Sequence, residues 1–334
     1  MTRRVVDLTD GVAMVVTDLH GNGEAYEAYR DRFLALRAAG QVDRLILCGD
    51  LIHNNGSARP DRSLEMLLDV IRLQEAYGAE AVILLLGNHE LPHLYSLTLS
   101  RGEVDYTPGF EAALSAAGAA VREQVMAFLD QLPFVVRTAA GVLINHCGAS
   151  PLAAMPGNYN RLIAFDHRAL LDRVDRVLAA QDLAVLRDYY EQTSGKSYDE
   201  AARYYLAVSG PDDPRYNHLL RSLVLNRSDS SFDLLWDTFF TRNEREHGDE
   251  AYGYMLTQYL RVWSAGAPAP QRFLVSGHIP VAGGYAIVCG QQLRLASHAH
   301  ANPPGAGLYL RLDCASPIDT MDRLVAGLGN AFAP

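Results

Sequence analysis

No stretch of this sequence is long and apolar enough to span a bilayer. A spanning helix needs about 20 consecutive apolar residues, whereas runs such as Ala81 to Leu86 are short. Arg3 and Arg4 stand near the start, but Asp7 and Asp10 come before any apolar core develops, so no signal peptide is expected. Cysteine is scarce. Cys48, Cys147, Cys289 and Cys314 are widely spaced and form no CxxC pair. Three of them fall in apolar or strand-like segments and read as buried free thiols, which fits a cytoplasmic location. Positive charge is short as well: 29 Lys and Arg face 39 Asp and Glu, a net charge of −10. That balance argues against a nucleic-acid polymer or an anionic membrane as partner, since both call for a basic surface. No internal repeat or low-complexity tract occurs. A chain with 49% hydrophobic and 20% charged residues is globular, so a mostly disordered protein is excluded.

Five compact apolar runs bounded by turn residues predict buried strands: Val12 to Thr17, Leu45 to Cys48, Ala81 to Leu86, Val142 to Asn145 and Phe273 to Ser276. Helical spacing fills the gaps between the first three. Glu24 to Ala39 ends at Gly40, and Ser63 to Tyr77 ends at Gly78, with Ser63 as the expected N-cap. Strand, helix, strand, helix, strand implies parallel pairing through right-handed crossovers. Residues 157–265 read as a helical insertion or cap within a single domain spanning 1–334. Asp166 to Tyr190 and Tyr198 to Val208 are its clearest helices, and it holds 10 of the 17 tyrosines. Those tyrosines serve either substrate choice or ordinary helix packing. After it, Tyr285 to Cys289, Gln291 to Ala296 and Leu308 to Leu312 predict a closing antiparallel segment.

The chemistry sits in the residues immediately after each buried strand. The five runs lead into Asp18-Leu19-His20-Gly21-Asn22, Gly49-Asp50, Gly87-Asn88-His89-Glu90, His146-Cys147-Gly148 and Gly277-His278. Ligands of open α/β sheets bind beyond the carboxyl ends of the strands, so these groups are expected to converge on one rim. Carboxylate, imidazole and amide donors suit divalent first-row metals better than a thiolate site would. One carboxylate can bridge two cations about 3.5–4 Å apart, and such a pair polarises a phosphoryl group and activates water. Taken singly, each motif has a plain structural reading: Gly-Asp as a turn, Asn or His after Gly as a helix cap. The ordered set of five favours the metal site.

With these motifs in place, the sequence resembles the calcineurin-like metallophosphoesterases, and within them the phosphoprotein phosphatase branch and its bacterial relatives, including diadenosine tetraphosphatases. The resemblance rests on TDLHG (17–21), GDLIHNNG (49–56), GNHE (87–90), HCGASP (146–151) and GHIP (277–280), supported by Phe232 to Asp237 and by Gly283-Gly284-Tyr285. It implies a four-layer α/β/β/α sandwich of two mixed sheets. It also implies one metal held by Asp18, His20 and Asp50 and a second held by Asp50, Asn88, His146 and His278. Manganese is the first choice, with iron or zinc as alternates. His89 is the implied general acid, and the nucleophile a metal-bridging water or hydroxide. Pro280 stands where many phosphodiesterases of the superfamily carry a second histidine, which favours the phosphatase branch.

Two departures stand out in the GDxxDRG pattern. His53 replaces the Asp that orients the catalytic histidine, and Asn54 replaces the phosphate-gripping Arg. Asn54 lacks the charge and the bidentate fork of a guanidinium. Arg59 and Arg62 stand nearby but read as solvated loop residues. Arg245, then Arg242, are the candidates for a second phosphate-binding Arg. His298 and His300 read as surface or structural histidines. The activity expected is hydrolysis of a phosphomonoester, most simply on a small phosphorylated molecule, with a phosphoprotein as another partner. The alternatives are a nucleotide or dinucleotide pyrophosphohydrolase, a protein Ser/Thr phosphatase, and a non-catalytic metal-binding relative.

Overall fold

The computed structural model describes residues 4–54, 59–225 and 230–332. Two sheets form its centre. One has five strands in the order Leu328–Gly329, Tyr309–Asp313, Val12–Val16, Arg44–Leu47, Val82–Leu84. The other has six, in the order Val5–Leu8, Val135–Thr138, Val142–Asn145, Phe273–Ser276, Gln292–Leu295, Tyr285–Val288. Alternate residues of a strand point to opposite faces, and the cores divide accordingly. Ala13, Val15, Ile46 and Ile83 of the first sheet pack against Val136, Val142, Ile144, Val275 and Leu293 of the second. Their neighbours Met14, Val16, Leu45, Leu47, Val82 and Leu84 turn outward into the helical layer, as do Val135, Leu143 and Leu274 on the other side. The result is the expected α/β/β/α sandwich.

The three consecutive strands of the first sheet pair in parallel, as their strand–helix alternation requires. The helix Gly23–Ala38 is capped by the Asn22 side chain, which accepts from the backbone N–H of Ala25 at 3.1 Å. The helix Ser63–Tyr77 ends at Gly78 (φ +96°) as expected, but its cap differs. Asp61 takes the backbone N–H of Ser63 at 2.9 Å, and the Ser63 hydroxyl accepts from His53 N at 2.8 Å instead. The predicted helix Asp166 to Tyr190 is broken in two, His167–Ala179 and Leu183–Ser194, because Asp182 caps a new start through Ala184 N and Val185 N.

The closing β segment is only partly antiparallel. Tyr285–Val288 and Gln292–Leu295 form a hairpin, but Gln292–Leu295 also runs parallel to Phe273–Ser276. Tyr309–Asp313 crosses to the other sheet and pairs antiparallel to Val12–Val16. Among the described residues, every element between Asn145 and Phe273 is helical. No helix is long and apolar enough to cross a membrane among the described residues.

Candidate metal centre and cleft

The strands Val12–Val16, Arg44–Leu47 and Val82–Leu84 end beside the ends of Val142–Asn145 and Phe273–Ser276, so the five motif loops meet although they belong to different sheets. All seven expected residues gather there. Asp18, His20, Asp50, Asn88, His89, His146 and His278 are all buried. The loops are tightly interlocked. A Cβ on Gly277 would run into the Asp18 carboxylate, and one on Gly87 into Asp50. Of the seven non-glycine residues with positive φ among the described residues, four lie in this cluster: His20, Asp50, His53 and His278. Backbone strain of this kind persists only where the surroundings over-determine it, and it gathers at functional sites.

The carboxylate of Asp50 is the geometric centre. Its Oδ1 lies 3.3 Å from His146 Nε2, while its Oδ2 lies 3.8 Å from His20 Nε2 and 3.8 Å from His89 Nε2. Asp18 accepts the backbone N–H of His278 on both oxygens, at 3.0 and 2.9 Å. Glu90 acts from behind. Its carboxylate accepts from the backbone N–H groups of Gly87, Asp50, Leu51 and Ile52 at 2.9 to 3.3 Å, clamping the Asp50 loop to the Asn88 loop.

The donor set fits divalent cations. His146 Nδ1 donates to Cys48 O at 2.8 Å, which turns the Nε2 lone pair toward Asn88 Oδ1 at 2.8 Å and Asp50 Oδ1. Three acceptors facing one another need a positive centre. Burial alone would push His146 down, but the Asp50 carboxylate wins and draws it well above the usual histidine range. A cation would fill that role. Burial pushes His20 and His278 the other way, toward the neutral imidazole that binds metal. His278 Nε2 is buried without a hydrogen-bond partner among the described residues. Donor atoms of Asp18, His20 and His300, and likewise of Asp18, Asp50 and His146, lie within 4.8 Å of one another.

His300 corrects the sequence reading, which placed it at the surface or in a structural role. It lines the cleft, with Nδ1 3.2 Å from Asp18 Oδ1 and Nε2 3.3 Å from His20 Nε2. Its sequence signal was its place near the final active-site loop of the family that the sequence resembles. Arg294 was also missed. Its guanidinium is buried and donates to the carbonyls of Cys147 (2.7 Å) and Gly277, next to the two rim histidines, while pairing with Glu244.

The cleft over this centre measures about 500 Å³. Arg242 lines it, with Arg101, Tyr106, Trp236 and Phe240. Arg245, ranked first from sequence, instead donates to Pro280 O at 2.8 Å and is not among the cleft-lining residues. Asn54 turns its amide to Arg59 O at 2.7 Å, also away from the lining. Asn55 and Gly56 of that motif lie outside the described residues. Arg59 pairs with Glu24, and Arg62 with Glu27 and Glu65. Arg101 and Arg242 form no ion pair among the described residues. Arg101, on the short Ser100–Arg101 strand, had no sequence signal. From the helical stretch come Trp236, Phe240 and Arg242 but none of its tyrosines: Tyr198, Tyr252 and Tyr259 are buried in helix packing, while Tyr189, Tyr204 and Tyr254 are exposed away from the cleft lining.

The family profile described as calcineurin-like phosphoesterase matches residues 12–216, more than half of the chain. The chain belongs to the calcineurin-like phosphoesterase family. It is a metal-dependent phosphohydrolase. No curated protein sequence matches it. Among solved structures it is similar to a protein serine/threonine phosphatase from Saccharomyces cerevisiae, at 14% identity and TM-score 0.49, covering 98% of this chain and 82% of that one. It is also similar to a cold-active protein-tyrosine phosphatase of a psychrophilic Shewanella species, at 13% identity and TM-score 0.43, over 93% and 78% of the two chains. A phosphoesterase from E. coli shares 31% identity over 23% of this chain and 39% of its own, with TM-score 0.17.

The packing of Gly277 on Asp18 makes a direct prediction. Gly277→Ala should force the Asp18 carboxylate or the strand end aside, costing about 1–3 kcal/mol in stability as an overpacked site. Metal content measured on the purified variant should fall along with the melting temperature. Wild-type metal content in a variant of wild-type stability would show that the loop has room to spare.

Proposed function

We propose that the protein is a phosphomonoesterase with two divalent cations, one held by Asp18, His20, Asp50 and His300, the other by Asp50, Asn88, His146 and His278. The observation that carries this reading is the split carboxylate of Asp50, whose two oxygens face two different donor sets at 3.3 and 3.8 Å. Cations bound there would polarise the phosphoryl group and activate a water for direct attack. The mixed oxygen and imidazole donors support manganese first, with iron or zinc as alternates.

The chain's own residues then have distinct tasks. Arg242 and Arg101 offer charge-assisted hydrogen bonds to phosphoryl oxygens entering the cleft. His89, with Nε2 facing Asp50 and the cleft, protonates the leaving oxygen. The remote polar ties through Glu90 and Arg294 keep the loops in register, so that little reorganisation is left for the reaction. Residues 157–265 act as a cap within one domain and supply the outer wall of the cleft. A small phosphorylated molecule is the partner that fits a cleft of about 500 Å³. Three buried thiols, none in a disulfide, support a cytoplasmic location.

One observation favours a second reading, a nucleotide or dinucleotide as substrate. Trp236 is 48% exposed and stacks on Phe240 at 3.9 Å with an interplanar angle of 9°, which offers a planar ring a platform at the cleft.

The deciding experiment is hydrolysis of a generic aryl phosphate after EDTA treatment and Mn²⁺ add-back. Turnover should vanish on chelation and return with the metal. Bound metal without turnover would overturn the enzymatic reading in favour of a non-catalytic metal-binding protein. A panel of nucleotides, dinucleotides, phosphopeptides and metabolite phosphates then separates the substrate classes.

A further inference from the structure

His89 needs something to hold its ring, and His53 beside it brings no carboxylate. The structure shows where the carboxylate is. His89 Nδ1 lies 3.1 Å from His53 Nδ1, His53 Nε2 lies 2.7 Å from His93 Nε2, and His93 Nδ1 lies 2.7 Å from Glu111 Oε1. Four side chains thus form one unbranched chain from the cleft to a buried carboxylate. Glu111 is held in turn by Arg122, with Arg215 3.7 Å away. His53, His93 and Glu111 are buried, and Tyr106 and Phe110 pack against the imidazole rings.

We propose that Glu111 is the remote positioning residue for His89, acting through His93 and His53 as a relay that fixes which nitrogen of His89 carries its proton. The assignment rests on hydrogen-bond counting. An ionised carboxylate only accepts, so His93 Nδ1 must carry the hydrogen. A neutral imidazole has one N–H and one lone pair, so His93 Nε2 accepts from His53 Nε2–H. His53 Nδ1 is then a lone pair and accepts from His89 Nδ1–H. The chain therefore ends with the lone pair of His89 on Nε2, the nitrogen that faces Asp50 and the cleft. Reversing any one link puts two hydrogens or two lone pairs face to face elsewhere. His93 sits four residues after His89, and the 91–95 helix with the 107–117 helix brings His93 and Glu111 together.

This inference rests on the reading of His89 as proton donor, and its test separates the two. In the holoenzyme with an alkyl phosphate as substrate, whose leaving alkoxide needs the proton, Glu111→Gln should lower kcat about 10–100-fold, the usual effect of losing an outer-shell partner, with KM and metal content unchanged. His93→Gln leaves Glu111 with its arginines and interrupts the relay one ring nearer, and it should show the same loss. His53→Asp supplies the rescue. The Oδ of an aspartate stands the same two bonds from Cβ as the Nδ1 of a histidine, so it can take the His89 Nδ1–H directly. Adding His53→Asp to Glu111→Gln should restore most of the lost rate. ¹⁵N-histidine spectra of the zinc-loaded protein should report His89 as the Nδ1–H tautomer in the wild type and as a mixture in Glu111→Gln. A Glu111→Gln variant with wild-type kcat and an unmixed tautomer overturns the relay and leaves the phosphatase reading standing. A double variant no faster than Glu111→Gln overturns it as well. If the wild type shows no turnover, the phosphatase reading fails, and the tautomer of His89 still decides the relay.

Discussion

Asp50→Asn is expected to lower phosphatase activity on the order of 10³-fold or more and to remove the response of thermal stability to added Mn²⁺. Asparagine has nearly the shape of aspartate and tolerates the left-handed backbone that position 50 requires (φ +50°). The Oδ1 that accepts His89 N–H at 2.9 Å can remain an amide oxygen. The fold should therefore persist, and the loss should belong to the site. What disappears is a charge facing both donor sets at once. Metal sites supply several kcal/mol of charge stabilisation in the transition state, and each 1.4 kcal/mol is worth a decade of rate. Ligand binding stabilises a folded protein in proportion to ln(1 + [L]/Kd), so the wild-type melting temperature should rise with Mn²⁺ and fall with EDTA. The variant's melting temperature should stay flat. In the absence of metal, the variant should be somewhat less stable than the wild type, because it loses the pairing of the Asp50 carboxylate with the His146 imidazole that, against the upward push of burial, holds that carboxyl well below its usual range. Metal analysis, differential scanning fluorimetry and initial rates together check it. Retained Mn²⁺-dependent stabilisation would mean that Asp50 is not shared between cations.

The rim was legible because each contributing residue lies within a few positions of a strand end, where local sequence marks both the strand and its turn. The five strands appeared within one or two residues of their expected bounds for the same reason: they are short apolar runs with sharp edges. Partnership lay beyond local pattern. Val5–Leu8 has a half-buried Asp7 in its middle and pairs parallel with Val135–Thr138, more than a hundred residues on. Its polar residue hides the strand pattern, and the reason for it is the Arg137 guanidinium, which takes both Asp7 oxygens at 2.7 and 2.9 Å. His300 was misread because nothing within its own loop distinguishes a histidine that faces Asp18, 282 positions earlier, from one that faces solvent. Arg245 and Arg242 lie three positions apart in sequence. The backbone around the short 243–246 helix decides that Arg242 lines the cleft while Arg245 meets Pro280 O. The replacement of a carboxylate by His53 looked like a loss from sequence alone, whereas in three dimensions a carboxylate is present two rings further back.

His89→Asn carries the second large effect, and the nature of the leaving group makes it diagnostic. Burial pushes His89 down to about 3 against the pull of Asp50, so the free site holds a neutral ring. An entering phosphoryl anion adds opposite charge within reach of Nε2 and favours the charged form. The proton then stands beside the cleft at the atom that faces the leaving oxygen. General acid catalysis is worth roughly 10²–10⁴ in rate, and the whole of it should be lost in His89→Asn for an alkyl phosphate, whose alkoxide leaves badly without a proton. For an aryl phosphate with an acidic phenol the departing oxygen needs little help, so the same variant should lose much less. Metal content should be unchanged, because the proposed ligand Asn88 and the clamp at Glu90 are untouched. A plot of rate against the acidity of the leaving alcohol should be shallow for the wild type and steep for the variant. Parallel lines would remove His89 from the proton-donor role, and equal losses across all substrates would reassign it to holding the Asp50 loop, where its backbone N–H already meets Oδ1 at 2.9 Å.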